Sequence, residues 1–283
     1  LNSEYSNTAT VPISAAGAAR NLLFFGNSFT MINDLPNSIR AIVGGDGHVL
    51  PYVVVEAGDS RTLQNQINEV TENPQNNIEN LPEGQTWSNV IIQEFSTGAT
   101  KLGDPAEFKA DTKTLYNLVK AGSPSVTPTL YGTWAYLGTD TNVYGTESYQ
   151  YADPAAMQAD IRMHYTAAAN EINALTPSAN AAVAHVGDYW EQLDFAADLY
   201  GGYDTKHPGA RGSLIAALTL YKTIYSENVS DIEWSDVQAY YQIRSITEAD
   251  WNQMTDLVDG VVTSARSPMP TGSTPSQDDK KDG

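Results

Sequence analysis

The chain has 283 residues, 41% of them hydrophobic, with a formal net charge of −19 and an isoelectric point near 4.3. Such a charge repels nucleic-acid phosphates and anionic membrane surfaces, so we expect no partner of either kind. The absence of cysteine excludes disulfides, thiolate nucleophiles and cysteine zinc sites. No stretch approaches the roughly 18–20 apolar residues that a membrane-spanning helix needs.

The two ends of the chain differ in composition from its middle. Residues 1–20 are small and polar, and we expect them to form an N-terminal arm on the surface. They lack a basic segment followed by an apolar core, so we expect that any signal peptide has already been removed. Residues 267–283 are rich in Pro, Ser and Thr and then charged, which is typical of a disordered linker or tail.

Between these ends, short apolar runs alternate with segments of helical period. The apolar runs predict five strands, at residues 21–25, 50–57, 89–95, 128–136 and 180–187. The periodic segments predict helices, at residues 34–45, 104–122, 153–175 and 209–228. This alternation predicts an α/β fold, a three-layer α/β/α sandwich with a five-stranded parallel sheet.

Two regions interrupt the alternation within the predicted domain, residues 21–266. Residues 137–152 are polar and contain tyrosines, and we expect this insertion to overhang the carboxyl edge of the sheet. Residues 229–266 contain two more helical patterns, which predict a C-terminal helical extension on the flank of the sandwich.

Ligands of open parallel sheets bind at the carboxyl ends of the strands, so the residues at those ends are the candidates for function. Ser28 follows the first predicted strand, Gly58 the second and Gln93 the third, while the loop after the fifth carries Asp204 and His207. A hydroxyl becomes a useful nucleophile beside a base, and the base needs a third group that holds its tautomer. Ser28, His207 and Asp204 supply these three chemical types.

The four histidines of the chain differ in their surroundings. His48 lies in a glycine-rich turn, His164 within a helical pattern and His185 in an apolar strand, where a core role is favoured. His207 lies in a Pro/Gly loop near an aspartate, as a catalytic base would. So few histidines, without cysteine, argue against a transition-metal site, whereas a structural calcium with oxygen ligands remains open.

Four segments resemble the SGNH (GDSL-type) hydrolase superfamily in a divergent GNSFT-type branch. They are GNSFT at 26–30, the glycine after strand two, the polar side chain after strand three and DTKHP at 204–208, and the resemblance covers residues 21–228. It implies a flavodoxin-like fold and ester hydrolysis, with Ser28 as nucleophile, His207 as general base and Asp204 as its orienting carboxylate. The backbone N–H groups of Ser28 and Gly58 are implied for the oxyanion hole, and we expect no cofactor.

The sequence departs from this family at two positions. The usual third segment is Gly-x-Asn-Asp, whose Asn donates to the oxyanion, but here strand three ends in QEFST. Gln93 carries the same amide and is our candidate donor, with Ser96 in reserve. Asn27 stands where the family name places Asp. These departures resemble a branch of secreted bacterial hydrolases, so we expect a secreted or periplasmic protein.

Each candidate residue also has a purely structural interpretation. Ser28 could cap a helix, because serine is favoured at that position. Asp204 could form an Asx turn, Gly58 could be an ordinary turn residue, and Gln93 could satisfy a backbone group at a strand end. The catalytic interpretation is favoured because all four residues fall at one edge of one sheet.

The substrate is inferred from the aromatic residues and from the absence of a long apolar lid helix. Aromatic faces stack on sugars and on aryl chains alike, and those that flank the candidate site are Trp134, Tyr136, Tyr149, Tyr189, Trp190, Tyr200 and Tyr203. We favour a short-acyl ester, such as an O-acetyl group on a polysaccharide, over a polyester or aryl ester. A catalytically weak carbohydrate-binding module of a larger surface protein is the alternative from another class. The sequence leaves the oligomeric state open.

Overall fold

The computed structural model describes residues 19–238 and 245–260, and the fold in these ranges is built on a five-stranded sheet. Its strands are β1 Asn21–Gly26, β2 Tyr52–Ala57, β3 Asn89–Ile92, β4 Thr127–Gly132 and β5 Ala182–His185. They lie in the order β2-β1-β3-β4-β5, and every pairing is parallel. This is the flavodoxin-like order, so the predicted α/β fold with a five-stranded parallel sheet is confirmed.

Helices flank the sheet in two groups. They are α1 Ser28–Met31, α2 Leu35–Gly45, α3 Leu63–Glu72, α4 Pro105–Gly122, α5 Pro154–Leu175, α6 Val186–Gln192, α7 Ala210–Tyr225, α8 Trp234–Val237 and α9 Glu248–Asp259. Helix α7 contacts both α2 and α9, and α4 in the other group contacts both α3 and α5. In the described residues, no helix has the length and apolar character that a membrane crossing requires.

The starts of the helices have visible chemical causes. Asp104 Oδ1 accepts hydrogen bonds from the N–H groups of Ala106 and Glu107, both at 3.0 Å, and a proline follows at the first helical position. Helix α3 was not predicted, because its sequence is mostly polar. It begins in a capping box between Thr62 and Asn65.

The central strand β1 explains why the apolar run at 21–25 is continuous. Leu22, Leu23, Phe24 and Phe25 are fully buried, because helices cover both faces of the sheet at this strand. Burying each such side chain contributes roughly 1.5–3 kcal/mol. The core therefore holds the carboxyl end of β1, and whatever follows it, in a defined place.

The remaining predictions concern the insertion at residues 137–152, the N-terminal arm, the C-terminal helical patterns and the tail. Residues 137–152 contain no helix or strand, and the Leu137 N–H donates to the Thr205 carbonyl at 2.7 Å, which joins them to the loop of Asp204 and His207. The predicted arm, except its last two residues, and the predicted tail at 267–283 lie outside the described residues, as do 239–244 and 261–266 of the C-terminal helical patterns.

Candidate active site

Ser28 is the first residue of α1, directly after the turn that ends β1. The helix is capped by Asn27, whose Oδ1 accepts from the Phe29 N–H at 3.2 Å. The structural interpretation of Ser28 as the helix cap is therefore wrong, and its hydroxyl is not used by the backbone of the helix.

Asn27 fixes this turn through both ends of its amide. Its Nδ2 donates to the carbonyl of Arg61 at 3.2 Å and to the carbonyl of Glu94 at 3.3 Å, and the residue is 2% exposed. These contacts join the turn after β1 to the loops after β2 and β3. An aspartate at this position could not donate to two carbonyls, which gives a physical reason for the asparagine in GNSFT.

Gln93 is 1% exposed and is fully engaged by its neighbours. Its Oε1 accepts from the Asn27 N–H at 3.1 Å and from Thr30 Oγ1 at 2.9 Å. Its Nε2 donates to Asn27 Oδ1 at 3.0 Å and to the Glu94 carbonyl. The structure contradicts the prediction that Gln93 is the oxyanion donor, because both of its N–H bonds are directed at protein acceptors.

The three predicted catalytic side chains lie in one line of contacts. Ser28 Oγ is 2.8 Å from His207 Nε2, and His207 Nδ1 contacts Asp204 Oδ2. The other carboxylate oxygen of Asp204 accepts from the backbone N–H groups of Lys206 at 3.0 Å and His207 at 2.8 Å. Asp204 thus makes an Asx-type turn and contacts the imidazole as well, so the turn leaves one carboxylate oxygen available for the predicted orienting role.

The loop that carries His207 is held from several sides. Trp134 Nε1 donates to the Lys206 carbonyl at 2.8 Å, and the Gly201 N–H donates to the His207 carbonyl at 2.8 Å. The Phe29 ring packs edge-on against the imidazole with centroids 5.5 Å apart. The imidazole therefore has a fixed position relative to Ser28.

Two carboxyl groups near the site have shifted pKa values of opposite sign. Partial burial opposes ionisation of Asp204, but hydrogen bonds from the N–H groups of His207 and Lys206 and from the imidazole outweigh it and lower the pKa. Burial raises the pKa of Glu94 to about 7, against hydrogen bonds from the N–H groups of Phe95 and Leu63 that lower it. Asp204 is therefore suited to remain an anion beside the imidazole.

A cavity of about 560 Å³ opens over Ser28 and His207. Its lining residues are Asn27, Ser28, Phe29, Met31, Ile32, Asp59, Ser60, Phe95, Ser96, Lys206 and His207. Gly58 does not line it, although the next two residues do. The Gly58 carbonyl accepts from the Arg61 N–H at 3.2 Å, and a Cβ on Gly58 would lie 2.8 Å from Arg61 Nε, so a larger residue here would displace the Arg61 side chain.

Most of the seven aromatic residues that we expected to flank the site are buried in the core. Trp134 stacks between Phe29 and Trp190, with centroid distances of 4.7 and 4.3 Å, and is fully buried. Tyr203 is 64% exposed, and its ring stacks on His207 with centroids 5.7 Å apart. Phe95 and Lys206 line the cavity but were missed, although Lys206 directly precedes the predicted base in the chain.

A second group of ligand-type side chains lies at the opposite edge of the sheet, before β2 and after α7. Atoms of Asp46, His48 and Glu227 all lie within 4.8 Å of one another, a spacing that a metal ion could use. Among the described residues these are the side chains with that spacing, and none of them lines the cavity over Ser28.

Comparisons with known proteins identify the fold. No protein-family model and no curated protein matches the sequence. The structure is similar to a DUF4886 family protein from Bacteroides uniformis, with TM-score 0.62 and 15% identity over 86% of this chain and 94% of that one. It is also similar to a carbohydrate esterase family 3 protein from Talaromyces cellulolyticus, with TM-score 0.53 and 12% identity over 75% and 99%. A lipase/acylhydrolase from Enterococcus faecalis has TM-score 0.51 and 14% identity over 73% and 96%. The chain shares the α/β fold of these three proteins, which agrees with the fold that the resemblance to SGNH (GDSL-type) hydrolases implied.

Proposed function

We propose that the protein is a serine ester hydrolase that acts through Ser28, His207 and Asp204. The observation that carries the proposal is the unbroken contact from the Ser28 hydroxyl through the His207 ring to Asp204, at the floor of an open cavity. A hydroxyl, a base and an orienting carboxylate in this order are the arrangement that nucleophilic acyl transfer needs.

In the proposed reaction, Ser28 Oγ attacks the ester carbonyl while its proton passes to His207 Nε2. Asp204 accepts a hydrogen bond from the Nδ1–H group of the ring, which holds the tautomer with a basic Nε2 and stabilises the imidazolium that forms. The imidazolium then protonates the leaving alkoxide, and an acyl group remains on Ser28. A water molecule, deprotonated by the same nitrogen, releases the acid and restores the serine.

The backbone N–H groups of Ser28 and Gly58 are the proposed donors to the carbonyl oxygen. Ser28 begins α1, and the first N–H groups of a helix have no acceptor within the helix. Gly58 immediately precedes Asp59, which lines the cavity. Donors already in place before the reaction lower its barrier more than mobile ones do.

The substrate class that we propose is a short-acyl ester, such as an O-acetyl group on a polysaccharide. Support comes from a cavity with polar and apolar walls and from the exposed ring of Tyr203 beside His207, which offers a face to a sugar. One structure of similar fold is that of a carbohydrate esterase. The apolar side chains of Met31, Ile32 and Phe95 in the same cavity favour the second candidate, a polyester or aryl ester.

Turnover of 4-nitrophenyl acetate tests the proposal and separates an esterase from a carbohydrate-binding module. Ser28→Ala should abolish turnover, with a loss of about a thousandfold or more, because the nucleophile is removed. The fold should persist, since Ser28 contributes no backbone cap. A Ser28→Ala variant with more than a tenth of wild-type turnover would refute the mechanism.

The acyl preference separates the two substrate candidates. Rates with 4-nitrophenyl esters should fall from acetyl to octanoyl if short acyl groups are preferred. A higher kcat/KM for octanoyl than for acetyl would favour the polyester or aryl ester instead.

A further inference from the structure

Ser96 lies in the wall of the same cavity as Ser28 and His207. It follows β3, the neighbour of β1 in the sheet, and both strands run in the same direction, so Ser28 and Ser96 leave the sheet at the same edge. Ser96 is 5% exposed, and this small exposed area faces the cavity that it lines.

The Ser96 hydroxyl is paired with the hydroxyl of a buried tyrosine. Ser96 Oγ and Tyr136 Oη are 2.7 Å apart, and Tyr136 is 7% exposed and does not line the cavity. Burial raises the pKa of Tyr136, so its phenol keeps its proton at neutral pH. Within the described residues 19–238 and 245–260, the Tyr136 hydroxyl has one hydrogen-bond partner, Ser96 Oγ.

The direction of this hydrogen bond follows from the burial. The positions of the two oxygens allow either hydroxyl to donate, but a buried phenol proton without an acceptor is costly, which favours Tyr136 as the donor and Ser96 Oγ as the acceptor. The proton of Ser96 is then free to be donated elsewhere, and the open space beside Ser96 is the cavity. The pair therefore directs one hydroxyl proton towards a bound substrate.

We propose that the Ser96 hydroxyl donates a hydrogen bond to the ester carbonyl oxygen during attack by Ser28, and that Tyr136 is the positioning residue for this proton. The inference rests on the proposed function and supplies the side-chain donor that Gln93 cannot be. Lys206 Nζ lies 5.9 Å from the Tyr136 ring centroid and 6.0 Å from that of Phe95. Its positive charge favours a negative charge in this part of the cavity.

The step that Ser96 assists is the formation of the tetrahedral intermediate. As the bond from Ser28 Oγ to the carbonyl carbon forms, the π electron pair of the carbonyl moves to oxygen, and the serine proton moves to His207. The hydrogen bond from Ser96 strengthens as that oxygen becomes negative. When the intermediate collapses, the carbonyl re-forms and the leaving oxygen takes the proton from His207.

Four variants on 4-nitrophenyl acetate test the proposal through kcat and KM. Ser96→Ala should lower kcat about a hundredfold with KM within about threefold of wild type. Ser96→Thr, which keeps the hydroxyl, should restore kcat to within about tenfold. Tyr136→Phe should lower kcat by about three- to tenfold, because the Ser96 proton is still present but no longer directed. The double variant should lose no more than Ser96→Ala alone, since Tyr136 acts through Ser96.

Ser123→Ala is the matched control for the loss of a buried serine hydroxyl. Ser123 is 2% exposed and its Oγ accepts from the Trp87 N–H at 2.9 Å, at the opposite edge of the sheet. This variant should lower the melting temperature and leave kcat unchanged. A folded Ser96→Ala variant with kcat within threefold of wild type would overturn the proposal. If Ser96→Ala does not fold, Tyr136→Phe decides, and wild-type kcat in that variant overturns it.

A fluorophosphonate probe separates failure of this inference from failure of the proposed function. Labelling of Ser28, detected by intact mass, together with turnover by the wild type leaves the serine mechanism standing whatever Ser96→Ala shows. If the wild type neither turns over an ester nor is labelled at Ser28, the proposed function is refuted, and this inference, which depends on it, is refuted as well.

Discussion

The sheet has two edges with similar chemistry: the carboxyl edge, which carries Ser28 and His207, and the amino edge, which carries Asp46, His48 and Glu227. Both have a histidine, carboxylates and a hydroxyl, but among the described residues the order of contacts proposed for acyl transfer is found at the carboxyl edge alone. At the carboxyl edge, the imidazole of His207 lies between the hydroxyl of Ser28 and a carboxylate. At the amino edge, His48 Nε2 contacts Glu227 at 2.7 Å and Asp46 at 3.5 Å, so its ring faces carboxylates.

The hydroxyl differs between the two edges as well. At the amino edge it belongs to Tyr221, whose single O–H proton lies between two acceptors, Asp46 Oδ2 and Glu227 Oε2. Burial and these neighbouring carboxylates raise the pKa of Tyr221, so its phenol stays protonated and acts as a donor. The same chemical types therefore tie helix ends together at one edge and form a candidate nucleophile at the other. Connectivity, and a cavity beside it, distinguishes a reactive site from a structural one.

The largest expected effect comes from removing the charge of the Asp204 carboxylate at the carboxyl edge. Asp204→Asn should lower kcat by about 10³–10⁴-fold, because the amide no longer holds the reactive tautomer of His207. Asp46→Asn, the matched change at the amino edge, should leave kcat unchanged. Steady-state kinetics on 4-nitrophenyl acetate measure both, and equal losses in the two variants would contradict the functional distinction between the edges.

The next effect concerns how the carboxyl edge is held together. Asn27→Asp replaces two N–H donors with acceptors that face the carbonyls of Arg61 and Glu94. We expect a loss of about 3 kcal/mol in the free energy of unfolding, because buried acceptors are left unpaired. Urea denaturation measures it, with Asn68→Asp on the exposed face of α3 as control. A loss below about 1 kcal/mol would show that the amide does not anchor the turn.

A smaller effect concerns the pH dependence of stability and compares two single carboxyl groups, Glu94 at the carboxyl edge and Glu227 at the amino edge. Burial raises the pKa of Glu94 to about 7, whereas the hydrogen bond from His48 chiefly lowers the pKa of Glu227. The folded state therefore keeps the Glu94 proton at pH values where the unfolded state has lost it. Glu94 makes stability fall as pH rises from about 4.5 to about 7.

Glu94→Gln tests this sign. The variant should reduce the fall in unfolding free energy over that pH interval by on the order of 1–3 kcal/mol relative to wild type. Urea denaturation at several pH values gives the slope, and Glu227→Gln serves as the comparison, since it should not reduce the fall. An unchanged slope in Glu94→Gln would mean that this carboxyl titrates normally.

The smallest expected effect is at the amino edge itself. His48→Ala should lower the unfolding free energy by about 0.2–1 kcal/mol, the usual range for a partly exposed polar pair, and should spare kcat. Treatment with EDTA should likewise leave turnover unchanged, because the Asp46–His48–Glu227 group lies far from Ser28 along the strands. Loss of turnover on EDTA, restored by zinc, would replace the serine mechanism with a metal-dependent one.

The strands and the candidate triad residues could be predicted because each is indicated by a short stretch of sequence. The apolar run of β1 reflects burial on both faces, and DTKHP combines a base and a carboxylate within one short loop. Helix α3 was missed because its buried stripe is short, with Leu63, Gln66 and Val70 buried in a polar segment. Phe95 and Lys206 were missed because nothing in their local sequence indicates which way a loop side chain points.

The sequence by itself determined the order of the five strands and the edge of the sheet at which Ser28, Asp204 and His207 meet, since periodicity and strand direction are properties of short segments. Only the tertiary structure decided the roles of side chains whose partners lie far away in the chain. Gln93 and Ser96 both follow β3. The Gln93 amide is hydrogen-bonded to Asn27 and Thr30, whereas Ser96 lines the cavity. The direction of a polar side chain depends on which donors and acceptors the fold brings within hydrogen-bond distance. The residues next to it in the sequence do not indicate which partners these are.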